Sequence, residues 1–224
     1  MKKSIEVIGV SKSFNRVHVL ENVCLVVNDG ESVGIVGSNG SGKSVLYKII
    51  CGLERPNSGE VIVQGKKVGK DIDFPTNIGI LIDEPGFIDA YTGFDNLKFL
   101  AAIRGKVSDT EIMSVMDNVG LSSNSKTKVK NYSMGMKKKL GIAQAIMESQ
   151  DVVLLDEPFN ALDYKTVDEI KDIIKQLKAD GKTILLTGHN HSDLEELCDT
   201  LFMVYEKSII KFDDEAKNKY FKRG

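Results

Sequence analysis

Gly37-Ser38-Asn39-Gly40-Ser41-Gly42-Lys43-Ser44 is the stretch whose reading decides the fold. It matches the phosphate-binding pattern GxxxxGK[ST] in full. An apolar run, Val33 to Val36, precedes it, and an amphipathic segment from Lys43 to Cys51 follows. Glycines let successive backbone N–H groups turn inward at a helix N-terminus, forming a nest for an anion. The Lys43 ammonium then reaches the β- and γ-phosphates, and the Ser44 hydroxyl becomes a ligand for Mg2+. A glycine-rich turn with a surface lysine is the plain alternative, and strand and helix on the correct sides argue against it. The stretch reads as a site for a nucleoside triphosphate.

Working outward, β-rich runs come first at Ile5 to Val10, Val17 to Val27 and Ser32 to Val36, with further strands at Glu60 to Val63 and Asn77 to Ile82. The middle changes character: Phe94 to Ile103, Asp109 to Val119 and Met134 to Met147 have helical apolar spacing. Strand patterns return at Val152 to Leu155, Thr183 to Leu186 and Leu201 to Tyr205, separated by helical Val167 to Leu177 and Asp193 to Leu197. The charged segment Asp213 to Arg223 reads as a surface helix. Alternation of this kind predicts an α/β fold with a mainly parallel sheet. The chain then forms one unit, 1–224, with a core lobe over about 1–83 and 149–224 and an inserted helical subdomain over about 84–148.

Composition narrows the function classes. The 224 residues are 42% hydrophobic and 28% charged, as in an ordinary globular protein. Thirty basic against 32 acidic side chains give a net charge of −2, so no global field attracts nucleic acid or anionic lipid. Cys24, Cys51 and Cys198 are odd in number and widely spaced, which speaks against a disulfide framework and for a reducing compartment. The longest apolar stretches are strand-length, far short of the roughly 18 residues that a membrane span needs. The cytoplasm is the expected location, and any membrane role must come through a partner.

Two segments compete to supply the acidic partner of the phosphate loop. Ile80-Leu81-Ile82-Asp83-Glu84-Pro85 and Val153-Leu154-Leu155-Asp156-Glu157-Pro158 both place Asp-Glu at the end of an apolar strand. In either, the Asp can hold Mg2+ and the Glu can polarise an attacking water. In either, too, the acids can simply end a strand before a proline turn.

The surrounding sequence decides between them, because the chain resembles the ATP-binding cassette (ABC) ATPases over nearly its whole length. The phosphate loop matches the family's Walker A. Tyr132-Ser133-Met134-Gly135-Met136, followed by Lys137-Lys138-Lys139-Leu140, resembles the signature LSGGQ and its helix. Val153 to Glu157 resembles Walker B with the catalytic glutamate, and Asn160-Ala161-Leu162-Asp163 the D-loop. His189 stands where the family has its switch histidine, and Phe14 where an aromatic stacks on adenine. The resemblance implies a P-loop NTPase core with an antiparallel β subdomain added.

It also implies roles. Glu157 and His189 are the expected catalytic pair. ATP contacts fall to Phe14, Ser38, Asn39, Gly40, Ser41, Gly42, Lys43, Ser44 and Val45, and to Ser133, Gly135, Met136 and Asp163. Mg2+ falls to Ser44, Asp83 and Asp156. Two such ATPases dock head to tail around ATP, and the pair drives a separate integral-membrane permease from the inner face of the membrane. The chain departs from the family pattern at Asp83 in place of the Q-loop glutamine, at Met134 and Met136 in the signature, and at Val45 in place of a threonine. An acid in the Q-loop and Met in the signature resemble the short ATPases of bacterial antimicrobial-peptide, lantibiotic and bacitracin-type exporters, as does Pro85-Gly86-Phe87 through Asn96-Leu97.

Two rival functions compete with this one. A soluble ABC ATPase of DNA or ribosomes usually carries two cassettes or a long coiled coil, and neither is present. A nucleotide-gated clamp with little hydrolysis is the reading that Asp83, Val45 and Met134 leave open. His18 has no ligand-spaced partner, and His191, two residues from His189, is the rival for the switch position. Lys126, Lys128, Lys130 and Lys137 to Lys139 form the only local charge excess. It lacks aromatics apart from Tyr132, so a solvated helix face is expected rather than a nucleic-acid patch.

Overall fold

The computed structural model describes residues 2–213. The chain opens with two long strands, β1 (Lys3–Phe14) and β2 (Val17–Asn28). β3 (Ser32–Val36) leads through the glycine-rich turn into α1 (Lys43–Ile50), followed by β4 (Ser58–Val63), β5 (Lys66–Lys67) and β6 (Ile78–Leu81). Three helices come next: α2 (Gly93–Arg104), α3 (Asp109–Asn118) and α4 (Met134–Ile146). β7 (Val152–Leu155), α5 (Tyr164–Ala179), β8 (Thr183–Gly188), α6 (His191–Leu197), β9 (Thr200–Tyr205) and β10 (Ser208–Lys211) complete the order.

Two sheets result. One is antiparallel, ordered β2-β1-β4-β5; the other runs β10-β9-β3-β8-β7-β6 and is parallel except for β10 at its edge. Both faces of the parallel sheet are covered, which is why its strands read as unbroken apolar runs. Successive side chains point to opposite faces. Val152, Leu154 and Leu185 therefore join α1 and the antiparallel sheet in one core, while Val153, Leu155, Ile184 and Leu186 join α2, α4 and α5 in the other.

Helix starts follow local chemistry. Thr92 with Asp95, and Ser108 with Glu111, form reciprocal capping boxes at α2 and α3. α4 lies close against the sheet at Gly79, where an added Cβ would stand 1.8 Å from the Ala145 carbonyl oxygen. Only glycine permits that approach.

The mixed α/β architecture and the antiparallel β subdomain agree with expectation, with local differences. β1 continues past Val10 because its ladder with β2 runs on, through irregular register, to Phe14 opposite Val17. β5 and β10 were not anticipated; they are short, and their half-buried residues give little alternation to read. The helix expected over Asp213 to Arg223 lies, beyond Asp213, outside the described residues. No described helix is long and apolar enough to cross a membrane.

Candidate functional site

The C-terminal ends of β3, β7 and β8 lie side by side, with Val36 level with Gly188 and Leu155 with Leu186. Each strand releases its reactive loop at that edge, where open α/β sheets bind ligands. After β3, Gly42 takes φ +107°, a left-handed conformation that frees Lys43 and Ser44 to begin α1. Their N–H groups fall in the first turn, where no intrahelical carbonyl can serve them. Lys43 is 3% exposed, and its ammonium donates to the carbonyls of Gly37 (2.7 Å) and Ser38 (3.0 Å). The Ser41 hydroxyl is buried without a hydrogen-bond partner. A cation, an unpaired buried hydroxyl and a helix N-terminus converge here, which fits the phosphates of a nucleotide.

At the end of β7, Asp156 is buried and accepts a hydrogen bond from the Thr187 hydroxyl, which itself accepts the Glu157 N–H at 2.8 Å. Glu157 has φ +48°, unusual for a residue with a side chain. Its carboxylate lies 3.2 Å from the Lys43 ammonium and 3.1 Å from His189 Nε2. Burial pushes the Glu157 carboxyl up, but the hydrogen bond and charge of Lys43, with help from His189, bring it below the usual carboxylate range. His189 Nδ1 meets the Gly37 carbonyl at 3.2 Å. Lys43, Glu157 and His189 thus form one network across three loops.

Beside it opens a cleft of about 380 Å³ lined by Asn39, Gly40, Ser44, Asp83, Asp156 and Glu157. Ser44 and Asp156 are a hydroxyl and a carboxylate, the hard oxygen donors that suit Mg2+ beside phosphate oxygens. Asp83, at φ +57°, shares the cleft and pairs with Lys48 of α1 at 2.7 Å. Of the twin acid pairs, the one after β7 touches the phosphate-loop lysine through Glu157, and Asp83 and Glu84 after β6 line the cleft.

The remaining candidates lie on other elements. Ser133 caps α4, accepting the Met136 N–H at 3.2 Å. Gly135 faces α5 so closely that a Cβ would stand 2.6 Å from Thr166 Cγ2. Met136 packs partly buried against the helical core. Asp163 caps α5 and accepts from both the N–H and the hydroxyl of Thr166, which hold its carboxyl below the usual range. Phe14 is exposed at the β1–β2 turn, with the Lys12 ammonium 4.7 Å from its ring centre. Ser38 lies within the phosphate loop, its carbonyl accepting from Lys43, and Val45 follows the loop in α1. His191 begins α6 beside the Phe212 ring, so the histidine that meets Glu157 is His189.

One expectation is corrected. Lys137 to Lys139 do not form a solvated face: Lys138 and Lys139 are buried, Lys138 toward the cleft acids and Lys139 against Glu169. A helix turns about 100° per residue, so adjacent lysines cannot share one exposed face. Sequence reasoning also missed Thr187, Lys138 and Lys48. A threonine two residues before His189 was the only sequence signal for any of them.

The fold and this network define a P-loop nucleoside triphosphatase. A family model described as "ABC transporter" matches residues 20–160. An ABC transporter ATP-binding protein of Bacillus subtilis is 40% identical over 87% of this chain and 89% of its own length. The lantibiotic transport ATP-binding protein SrtF of Streptococcus pyogenes is 34% identical over 92% of this chain and 89% of its own. The solved dimeric structure of a bacterial ABC transporter cassette superposes with a TM-score of 0.82 at 24% identity, covering 93% of this chain and 99% of that one. The chain belongs to the ABC transporter family, and it is an ATP-binding, ATP-hydrolysing cassette of that family.

Proposed function

We propose that this ATPase powers a separate integral-membrane permease, working as a head-to-tail pair at the inner face of the cell membrane and exporting an antimicrobial peptide or drug. The contact of Glu157 with both Lys43 and His189 carries the catalytic part of this reading. The export part is supported by the similarity to a lantibiotic transport subunit, and the paired state by the likeness to a dimeric cassette. In this reading residues 84–148 act as the helical subdomain that presents Ser133 to the partner's nucleotide. Nucleic acid has no part in it, since two lysines of the basic segment from Lys126 to Lys139 turn inward.

The residues divide the chemistry as follows. Phe14 stacks on adenine. The turn from Ser38 to Gly42, with Val45 beneath, wraps the phosphates, and Lys43 exchanges Glu157 for the β- and γ-phosphate oxygens. Ser44 and Asp156, with Asp83 freed of its pairing with Lys48, would hold Mg2+, which would offset phosphate charge. Glu157 accepts a proton from water as the water oxygen bonds to the γ-phosphorus and the bond to the bridging oxygen breaks, giving ADP and phosphate. His189 keeps the Glu157 carboxylate aimed. Across the interface, Ser133, Gly135 and Met136 face the partner's γ-phosphate, with Asp163 beside them.

The test compares carboxamides. Glu157→Gln should lower phosphate release by about 10²–10⁴-fold, keep binding of a fluorescent ATP analogue, and accumulate an ATP-dependent dimer on size exclusion. Adding Ser133→Arg should abolish that dimer while leaving the monomer's nucleotide affinity intact. Glu84→Gln should change hydrolysis little. An inactive Glu84→Gln beside an active Glu157→Gln overturns the assignment.

A further inference from the structure

Glu157 is held at its backbone as well as at its carboxylate. Its N–H is fixed by Thr187, and its carbonyl oxygen accepts a hydrogen bond from the Lys138 ammonium at 3.3 Å. The second of these bonds comes from α4, the helix that Ser133 begins. Lys138 is 7% exposed, and its ammonium faces Asp156, Glu84, Glu157 and Asp83. A non-glycine residue at φ +48° persists only where its surroundings over-determine it. Here one tether comes from β8 and the other from α4.

We infer that Lys138 is a positioning residue for hydrolysis, its ammonium holding the Glu157 peptide and so tying the reactive carboxylate to the helix that starts at Ser133. The inference rests on the reading of Glu157 as general base. Ser133 and Lys138 are five residues apart on one rigid helix, about 7.5 Å along its axis. In the head-to-tail pair, Ser133 faces the partner's ATP and Glu157 faces this subunit's own. Lys138 is then a direct mechanical link between the two nucleotide sites. A side chain of this length and charge does what a shorter one cannot, since its butyl stem crosses from α4 to β7 while its head keeps a donor on the carbonyl.

A displaced general base costs turnover, not affinity, and a 1 Å misplacement can cost about 10²-fold in rate. Lys138→Met keeps the stem and removes the donor. It should lower kcat about 10- to 100-fold while the dissociation constant for a fluorescent ATP analogue stays within about twofold. Lys138→Arg, which keeps the reach, the charge and a donor, should recover most of the rate. In a Glu157→Gln background, where the residual rate no longer depends on a carboxylate, Lys138→Met should cost nothing further. Unchanged kcat in Lys138→Met overturns the inference. So does a parallel loss of affinity, an unrescued Lys138→Arg, or an equal further loss in the Glu157→Gln background, which is also the outcome of a general folding defect. Full activity of Glu157→Gln by itself instead overturns the assignment of the base on which the inference stands.

Discussion

The Thr187 hydroxyl bridges Walker B from the neighbouring strand: it accepts the Glu157 N–H at 2.8 Å and donates its own proton to the Asp156 carboxylate. Thr187 is fully buried and Asp156 nearly so. Thr187→Val keeps shape but leaves a buried N–H and a buried carboxylate oxygen unpaired. That should cost about 1–3 kcal/mol of stability by urea denaturation and lower hydrolysis more than nucleotide affinity. Thr187→Ser should restore both properties. A Val variant as stable and active as the parent would count against the bridge.

Gly135 meets Thr166 where α4 begins. A methyl group at Gly135 would press on Thr166 Cγ2, and that side chain cannot rotate away without breaking the 2.7 Å bond from its hydroxyl to Asp163. Gly135→Ala should therefore destabilise by about 1–3 kcal/mol, and Thr166→Ala should relieve most of the added loss. Thermal melting of the two single variants and the double variant measures the coupling. Additive losses would place the clash elsewhere.

The stability of the α5–α6 pair should depend on acid. Hydrogen bonds from Lys171 and Lys175 hold the Glu196 carboxyl down to about 2, against 4.5 when unperturbed. A carboxyl depressed on folding contributes fully above its unfolded pKa, and that contribution is lost as pH falls from about 4.5 through 2. Glu196 is 42% exposed, so screening limits the effect to about 0.5–1 kcal/mol. Glu196→Gln should lower the urea midpoint at pH 7, and the gap from the parent should narrow by pH 3. A gap independent of pH would show that the charge is not its source.

Legibility followed contiguity. β3, the phosphate loop and α1 were readable because residue identity and spacing within one stretch encode strand, nest and helix together. β7 and β8 were readable as buried strands because both faces are covered. Thr187 and Lys138 were not, since each acts on Glu157 from 19 or more positions away in sequence. Lys48 was equally hidden, because its partner Asp83 comes from β6. The inward turn of Lys138 and Lys139 was masked by composition: three successive lysines read as surface, although the helix sends each in a different direction.

The Gly79–Ala145 contact makes α4 a lever. Backbone meets backbone there, so the helix is pinned at its C-terminal end with no side chain to cushion it. Ser133 caps the opposite end, about 18 Å from that contact. A tilt of about 5° about that contact would carry Ser133 about 1.6 Å and the Lys138 backbone about 0.9 Å. The missing methyl group of one glycine in β6 thus fixes the point about which a displacement of Ser133 would be passed along α4 toward Glu157. Any side chain at position 79 would lift the helix from its pivot and shift that gearing without altering a residue that contacts nucleotide.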